Sequence, residues 1–164
     1  MKKSRHLIVV TSVILAVCLG LVAIRQYRRR EKPLERGQCT WFAFERAREA
    51  GWTIEFDKPY GRHARAWWEK VTNGERGSEP RPGAIMVLDA WPGNPYGHVG
   101  YVERVESASV WHVTHANYAI GQPDGAREGV PILRVKCELS PAGVELDGSG
   151  RSLPLRGFVY PAAK

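Results

Sequence analysis

The chain of 164 residues contains few cysteines, and no two of them lie close together in the sequence. With no CxxC pair, a zinc knuckle is not indicated, and three widely spaced cysteines do not form a disulfide framework. Cys18 lies in an apolar run, which leaves Cys39 and Cys137 as a pair that an oxidising compartment would allow to bridge.

The folded part of the chain also lacks a surplus of positive charge. The formal net charge is +7, but residues 1–32 hold eight Lys or Arg and one acid, which accounts for the whole excess. Residues 33–164 carry equal numbers of basic and acidic side chains. A nucleic-acid groove needs clustered cations to neutralise phosphates, so we expect no nucleic-acid partner.

The only long apolar run is Leu7–Ile24, eighteen residues without a charge. This length approaches the roughly 20 residues that cross a bilayer as a helix, and we expect an uncleaved membrane anchor. A cleaved signal peptide, or a lipoprotein site ending at Cys18, is the alternative. Five basic residues follow the run and three precede it, so the positive-inside tendency mildly opposes export of the remainder.

Hydrophobic spacing and turn residues divide the chain into residues 1–27 (anchor or signal segment), 28–36 (charged linker) and 37–161 (one domain). The order of elements, helices first and antiparallel strands after, predicts an α+β fold. Helices are predicted at Cys39–Ala50 and Arg62–Asn73, strands at Ala84–Leu88, His98–Val105, Ser109–Ala116, Val130–Cys137 and Leu155–Tyr160, and loops at Glu75–Gly83 and Ser140–Ser152.

Two side chains are candidates for chemistry. Cys39 begins the first predicted helix, where unpaired N–H groups and the helix dipole favour a thiolate, so we expect a lowered thiol pKa and a nucleophile. His98 begins a strand between two glycines, which leave space for a substrate or another side chain. Histidine is the usual base for a cysteine nucleophile, and each residue taken alone also fits ordinary packing.

A catalytic imidazole needs an orienting group on its second nitrogen. Strand alternation places His115 and Asn117 on one face, and the predicted hairpin through residues 106–108 brings that strand beside the one that begins at His98. His112 and His115 diverge on a strand and have no acidic cluster beside them, so we expect no metal site.

The chain from about Gly37 to Pro161 resembles the CHAP domains, the cysteine- and histidine-dependent amidohydrolases and peptidases. Five blocks in order carry the resemblance, and the histidine of the third lies 59 positions after the cysteine of the first. The blocks are Gly37-Gln38-Cys39-Thr40-Trp41-Phe42, Pro82-Gly83-Ala84-Ile85, Tyr96-Gly97-His98-Val99-Gly100-Tyr101-Val102-Glu103, His115-Ala116-Asn117-Tyr118 and Gly157-Phe158-Val159-Tyr160-Pro161.

The resemblance implies a papain-like fold, with N-terminal helices packed on an antiparallel sheet and Cys39 and His98 as nucleophile and base. Where many members have a glutamate this chain has His115, a poorer partner for an imidazolium, so we expect Asn117 to orient His98. His115 is the alternative orienter, or its presence indicates weakened activity. Gln38 is expected to bind the oxyanion together with the Cys39 N–H. Trp91 and Tyr96, just before His98, are expected to contact substrate.

The function that the resemblance implies is hydrolysis of an amide bond in bacterial peptidoglycan by a monomer that needs no cofactor or metal. The domain would then face the periplasm or cell wall from a single-pass anchor in the bacterial membrane, or be secreted after signal cleavage. Two alternatives remain: a CHAP-like module that binds without cutting, and a thiol amidase acting on a peptide outside the wall.

Overall fold

The computed structural model describes residues 34–57, 63–117 and 133–163. The chain divides into two units between Pro33 and Leu34, and all of the described residues belong to the second. Within these ranges no helix is long and apolar enough to cross a membrane. The predicted span at residues 7–24 lies outside the described residues.

The first helix, α1, runs over Cys39–Glu49 and agrees with the prediction. It ends because Gly51, at φ +88°, takes the left-handed backbone that commonly terminates a helix. The second predicted helix is much shorter: a 3₁₀ turn at Ala64–Ala66 leads into α2 at Trp67–Lys70. Val71 leaves the helix in an extended conformation and bridges to Phe56, which explains why the helix does not reach Asn73.

Nine strands in the described residues form an antiparallel sheet in the order β1-β9-β3-β4-β5-β6-β7-β8, with β2 also paired to β9. The described residues contain few helices and a mainly antiparallel sheet, which agrees with the predicted α+β fold class. The strands are β1 Trp52–Thr53, β2 Gly74–Gly77, β3 Ile85–Leu88, β4 His98–Ser107, β5 Val110–His115, β6 Leu133–Ser140, β7 Gly143–Leu146, β8 Ser152–Leu153 and β9 Leu155–Ala163.

Two predicted loops contain strands instead. Residues 74–77, which overlap the start of the Pro/Gly-rich segment Glu75–Gly83, pair with β9, whose long edge supplies their hydrogen-bond partners. In the Gly/Ser-rich segment, β7 pairs with both β6 and β8. Val144 and Leu146 alternate toward the core and are almost fully buried, and this short apolar pattern outweighs the flanking glycines and serines.

The sheet separates two apolar clusters. In the first, Ala43 and Ala47 of α1 lie in one buried cluster with strand residues such as Val99. The second consists almost entirely of strand residues, and Trp111 and Phe158 contact each other edge to face within it. Side chains that alternate along a strand therefore enter different clusters.

An ion pair ties α1 to the sheet. Arg46 binds Glu103 of β4 through two hydrogen bonds of 2.9 and 2.7 Å, and Thr114 of β5 donates a third to the same carboxylate at 2.6 Å. Burial raises the pKa of Glu103, but the hydrogen bonds outweigh it and leave the pKa below its usual value. The Arg46 guanidinium also lies over the Tyr101 ring. These contacts fix the position of the helix whose first residue is Cys39.

The chain is tightly packed around Gly97, just before β4. Its φ is +72°, and a Cβ there would lie 2.4 Å from the Leu88 carbonyl oxygen, whereas Gly93 has a similar φ of +94° with open space around it. Gly97→Ala should therefore destabilise the domain by about 2 kcal/mol more than Gly93→Ala, because only the first adds overpacking to backbone strain. Urea unfolding of both variants measures the difference. Equal losses would contradict the close packing.

Candidate active site

Cys39 is the first residue of α1, as predicted. Gln38 is the residue that caps the helix, in an extended conformation, and Gly37 at φ +88° turns the chain just before it. The Gln38 carbonyl accepts the N–H of Phe42, which starts the helical hydrogen-bond pattern. Only 9% of Cys39 is exposed, and it forms part of the first apolar cluster.

The thiol of Cys39 has a raised pKa, which corrects the expectation of a lowered one. Burial raises the pKa to about 11, although the backbone N–H groups of Val99, Thr40 and Cys39 itself lower it in part. The predicted helix-start N–H groups are thus present around the sulfur, but loss of hydration outweighs them. Cys39 is therefore a neutral thiol near pH 7.

His98 is the first residue of β4, and it is buried with only 2% of its surface exposed. Burial lowers its pKa well below 6.5, and the nearby His115 lowers it further. The ring is consequently neutral near pH 7, the form in which an imidazole accepts a proton. The hydrogen bond from the Val99 N–H also places the Cys39 sulfur beside the residue that follows His98.

His115 is the group that the structure places against His98. The distance from His98 Nε2 to His115 Nδ1 is 2.8 Å, and the two rings meet edge to face at 88°. His115 ends β5 and is 1% exposed, and burial lowers its pKa to about 4. Asn117 was the expected orienter and His115 the alternative, and the contact makes His115 the direct partner of the His98 ring.

The hydrogen bond between the two neutral rings has a chemical consequence. When the His98 proton sits on Nε2, that nitrogen donates to His115 Nδ1, and Nδ1 of His98 is the basic nitrogen. In the opposite arrangement His115 donates and His98 carries its proton on Nδ1, so that nitrogen is no base. Proton abstraction through Nδ1 therefore requires the first tautomer.

Asn117 makes a different contact from the predicted one. Its Nδ2 donates to Gln38 Oε1 at 2.5 Å, which connects it to the residue before the cysteine. The predicted alternation fails here because β5 ends at His115 and Asn117 adopts a left-handed φ of +50°. Asparagine tolerates this conformation better than most residues.

The two predicted substrate-contacting residues differ in their surroundings. Trp91 packs against the second apolar cluster, so its ring contributes to the core. Tyr96 is 40% exposed, and the ring of His63 stacks on it with the centroids 4.6 Å apart. The Tyr96 carbonyl accepts the N–H of Arg65, which holds the loop before His98 in place.

Sequence reasoning did not identify His63 as a neighbour of this site. It lies 33 positions before Tyr96, in a segment with no motif, and no spacing rule connects the two rings. The described ranges contain no group of three or more His, Cys, Asp or Glu arranged to hold a metal ion.

Comparison with known proteins identifies the family. A family model described as CHAP domain matches residues 30–117, a range that contains Cys39, His98 and His115. The chain belongs to the CHAP domain family. This range is more than half of the chain, and it agrees with the resemblance found in the sequence blocks.

Curated relatives of this CHAP chain have longer sequences. It is 35% identical over 99 residues to the probable autolysin SsaALP of Staphylococcus aureus, which covers 60% of this chain and 36% of that protein. It is 28% identical over 109 residues to an N-acetylmuramoyl-L-alanine amidase, sle1, of Staphylococcus epidermidis, covering 61% and 30%. The chain thus spans about a third of the length of these relatives.

Among solved structures, Ly7917 crystallised with the hydrolysis product of MDP resembles this CHAP chain in fold. The TM-score is 0.50 at 21% sequence identity, over 78% of this chain and 55% of the other. Identity this low supports a shared fold and no further comparison.

The raised Cys39 pKa predicts how fast the thiol is alkylated. Iodoacetamide reacts with the thiolate, so the rate at Cys39 should rise about tenfold per pH unit from pH 7 to 10 without a plateau. His115→Glu places a carboxylate beside His98, favours the imidazolium, and should accelerate alkylation at pH 7. Mass spectrometry of the Cys39 peptide gives the rates.

In the alkylation experiment, Cys39→Ala identifies the labelled peptides that belong to Cys18 and Cys137. A rate for the unmodified sequence that is already constant between pH 6 and 8 would show a preformed thiolate–imidazolium pair and contradict the neutral site.

Proposed function

We propose that this protein is a cysteine amidase or endopeptidase that hydrolyses an amide bond in bacterial peptidoglycan. The observation that carries the proposal is the contact between buried His98 and His115 in a CHAP domain whose helix α1 begins at Cys39. The names of the relatives, an autolysin and an N-acetylmuramoyl-L-alanine amidase, support the wall as the source of the substrate.

The first step is acylation of the cysteine. As the Cys39 sulfur attacks the amide carbonyl carbon, its proton passes to His98 Nδ1, and the carbonyl oxygen becomes an oxyanion. The Cys39 N–H and the Gln38 side chain donate to that oxyanion. The C–N bond then breaks, and His98 returns the proton to the leaving amine, which leaves a thioester on Cys39.

The second step is deacylation by water. His98 Nδ1 takes a proton from the water as its oxygen attacks the thioester carbonyl. The C–S bond breaks, a carboxylic acid leaves, and the proton returns to the sulfur. The chain's own side chains carry out every transfer in this scheme.

His115 stabilises the imidazolium in both steps. In this mechanism His98 Nε2–H donates to His115 Nδ1 across the 2.8 Å contact, which keeps His98 in the tautomer whose Nδ1 carries no proton and can accept one. A neutral ring stabilises a cation less than a carboxylate does. The histidine pair therefore helps in two ways: it orients the His98 ring, and its hydrogen bond is buried. A buried hydrogen bond is electrostatically stronger than one exposed to water.

Substrate contact is assigned to Tyr96 rather than Trp91. Tyr96 is exposed two residues before the catalytic histidine, and its backbone is held by Arg65, whereas Trp91 packs on the core. Peptidoglycan lies outside the cytoplasmic membrane, so the proposal also requires export of residues 37–161. Secretion or anchoring through residues 7–24 satisfies this requirement.

A non-catalytic wall-binding module is the second candidate. The raised pKa of Cys39 and the replacement of the usual acid by His115 favour it, because both reduce the fraction of thiolate. Cleavage itself separates the two candidates, since a binding module retains wall affinity without releasing fragments.

The decisive variant is Cys39→Ala, with Cys137→Ala as its matched control. Both cysteines are buried in apolar clusters, but Cys137 lies in the second cluster, on β6. Cys39→Ala should reduce release of dye-labelled wall fragments at least about a thousandfold, because the nucleophile is lost. Cys137→Ala should keep its activity and lose about 1 kcal/mol of stability from the small cavity.

Two results would reject the proposal. Fragment release that persists in Cys39→Ala would assign cleavage to another group. Wall binding by the unmodified protein, with no fragment release at any pH from 5 to 9, would favour the binding module.

A further inference from the structure

We infer that Asn117 is a positioning residue for the oxyanion donor Gln38 rather than for the base His98. The inference rests on the proposed acyl-transfer function and assigns a different role from the one expected of an asparagine near a catalytic histidine. Its basis is the hydrogen bond from Asn117 Nδ2 to Gln38 Oε1 at 2.5 Å.

The backbone of Gln38 is already fixed without its side chain. Its N–H donates to the Glu35 carbonyl at 3.1 Å, and its carbonyl accepts from Phe42 at 2.9 Å. Although Gln38 occupies the N-cap position, its side chain makes no capping bond to the helix. The amide is therefore available for another purpose, and its contact is with Asn117.

The direction of the hydrogen bond determines what Gln38 presents to a substrate. A carboxamide has an acceptor oxygen on one branch and two N–H donors on the other. Because Oε1 accepts from Asn117, the Nε2 branch points away from Asn117 and keeps a donor for a developing oxyanion. With the opposite orientation, Gln38 would turn an oxygen toward that negative charge, which is repulsive.

The position of Asn117 follows from the end of β5. His115, the last strand residue, contacts His98, and two residues later the left-handed φ of +50° takes Asn117 out of the strand alternation. The same short segment therefore serves both halves of the site: His115 holds the base, and Asn117 holds the oxyanion donor next to the nucleophile.

Asn117→Asp tests the inference because a carboxylate accepts hydrogen bonds but does not donate them. Gln38 must then turn its Nε2 toward position 117, which directs Oε1 to the oxyanion. Acylation of Cys39 by p-nitrophenyl acetate should fall roughly 10²-fold, the usual loss for one oxyanion donor. Alkylation of Cys39 by iodoacetamide should stay within about twofold, because that reaction develops no oxyanion.

A double-mutant comparison separates the two possible roles of Asn117. In the background of Gln38→Ala, Asn117→Asp should cause no further loss of acylation, because the group it acts through is absent. If Asn117 served His98 instead, the carboxylate would stabilise the imidazolium, shift the acid limb of the pH profile upward, and act independently of Gln38.

The outcomes are distinguishable from those of the proposed function. The ester is a general acyl donor and needs no wall recognition, so it reports on the oxyanion site even if wall fragments are not released. Acylation by Asn117→Asp at the unmodified rate, or equal losses in acylation and alkylation, would overturn the inference. Circular dichroism and unfolding of each variant check that the domain is folded.

Discussion

The site depends on one hydrogen bond between two buried neutral rings, from His98 Nε2 to His115 Nδ1. Burial holds the pKa of both rings low, so the pair carries no charge near pH 7. The same burial raises the pKa of Cys39 to about 11. The resting site is therefore electrically neutral, and in the proposed mechanism charge separates only as the sulfur attacks. A group that stabilises the oxyanion matters more in such a site, because no preformed thiolate lowers the barrier beforehand.

The surrounding fold holds Cys39, His98 and His115 in position. Arg46 binds Glu103 and so fixes α1 against β4, the strand that begins at His98. Adjacent strands β4 and β5 then bring the two histidines together, since β5 ends at His115. Gly97 allows the chain to pass close to Leu88 just before His98. The helix anchored to the sheet begins at Cys39, and the two neighbouring strand ends bring His98 and His115 together. These are the residues that we propose as nucleophile, base and partner of the base.

Sequence patterns predicted the parts of this arrangement that depend on local rules. The helix at Cys39 and the strand at His98 were both placed correctly, because a helix start and a glycine-flanked strand leave clear local signals. The family motifs supplied the pairing of these two residues, which lie 59 positions apart. Local rules failed at the Gly/Ser-rich segment, where β7 exists because Val144 finds a buried place beside β6.

The chemistry of the site was less predictable than its location. Helix-start N–H groups do surround Cys39, but the sequence does not show how deeply the sulfur is buried, and burial decides the sign of the pKa shift. The contact of Asn117 with Gln38 depends on where β5 ends and on a single positive φ. Alternation along a strand predicts neither the residue at which β5 ends nor the positive φ of Asn117. A single sequence does not determine long-range packing or the backbone conformation at the end of a strand.

The central claim is that Cys39 forms a thioester with a fragment of the bacterial wall. Purified peptidoglycan incubated with the protein, quenched in acid and analysed by mass spectrometry tests it in one measurement. The account predicts an acyl adduct on the Cys39 peptide whose mass identifies the amide that was cut, and soluble fragments that carry the matching new amino end. Fragments produced by cleavage between sugars, or amide cleavage with no dependence on Cys39 and no adduct, would contradict it.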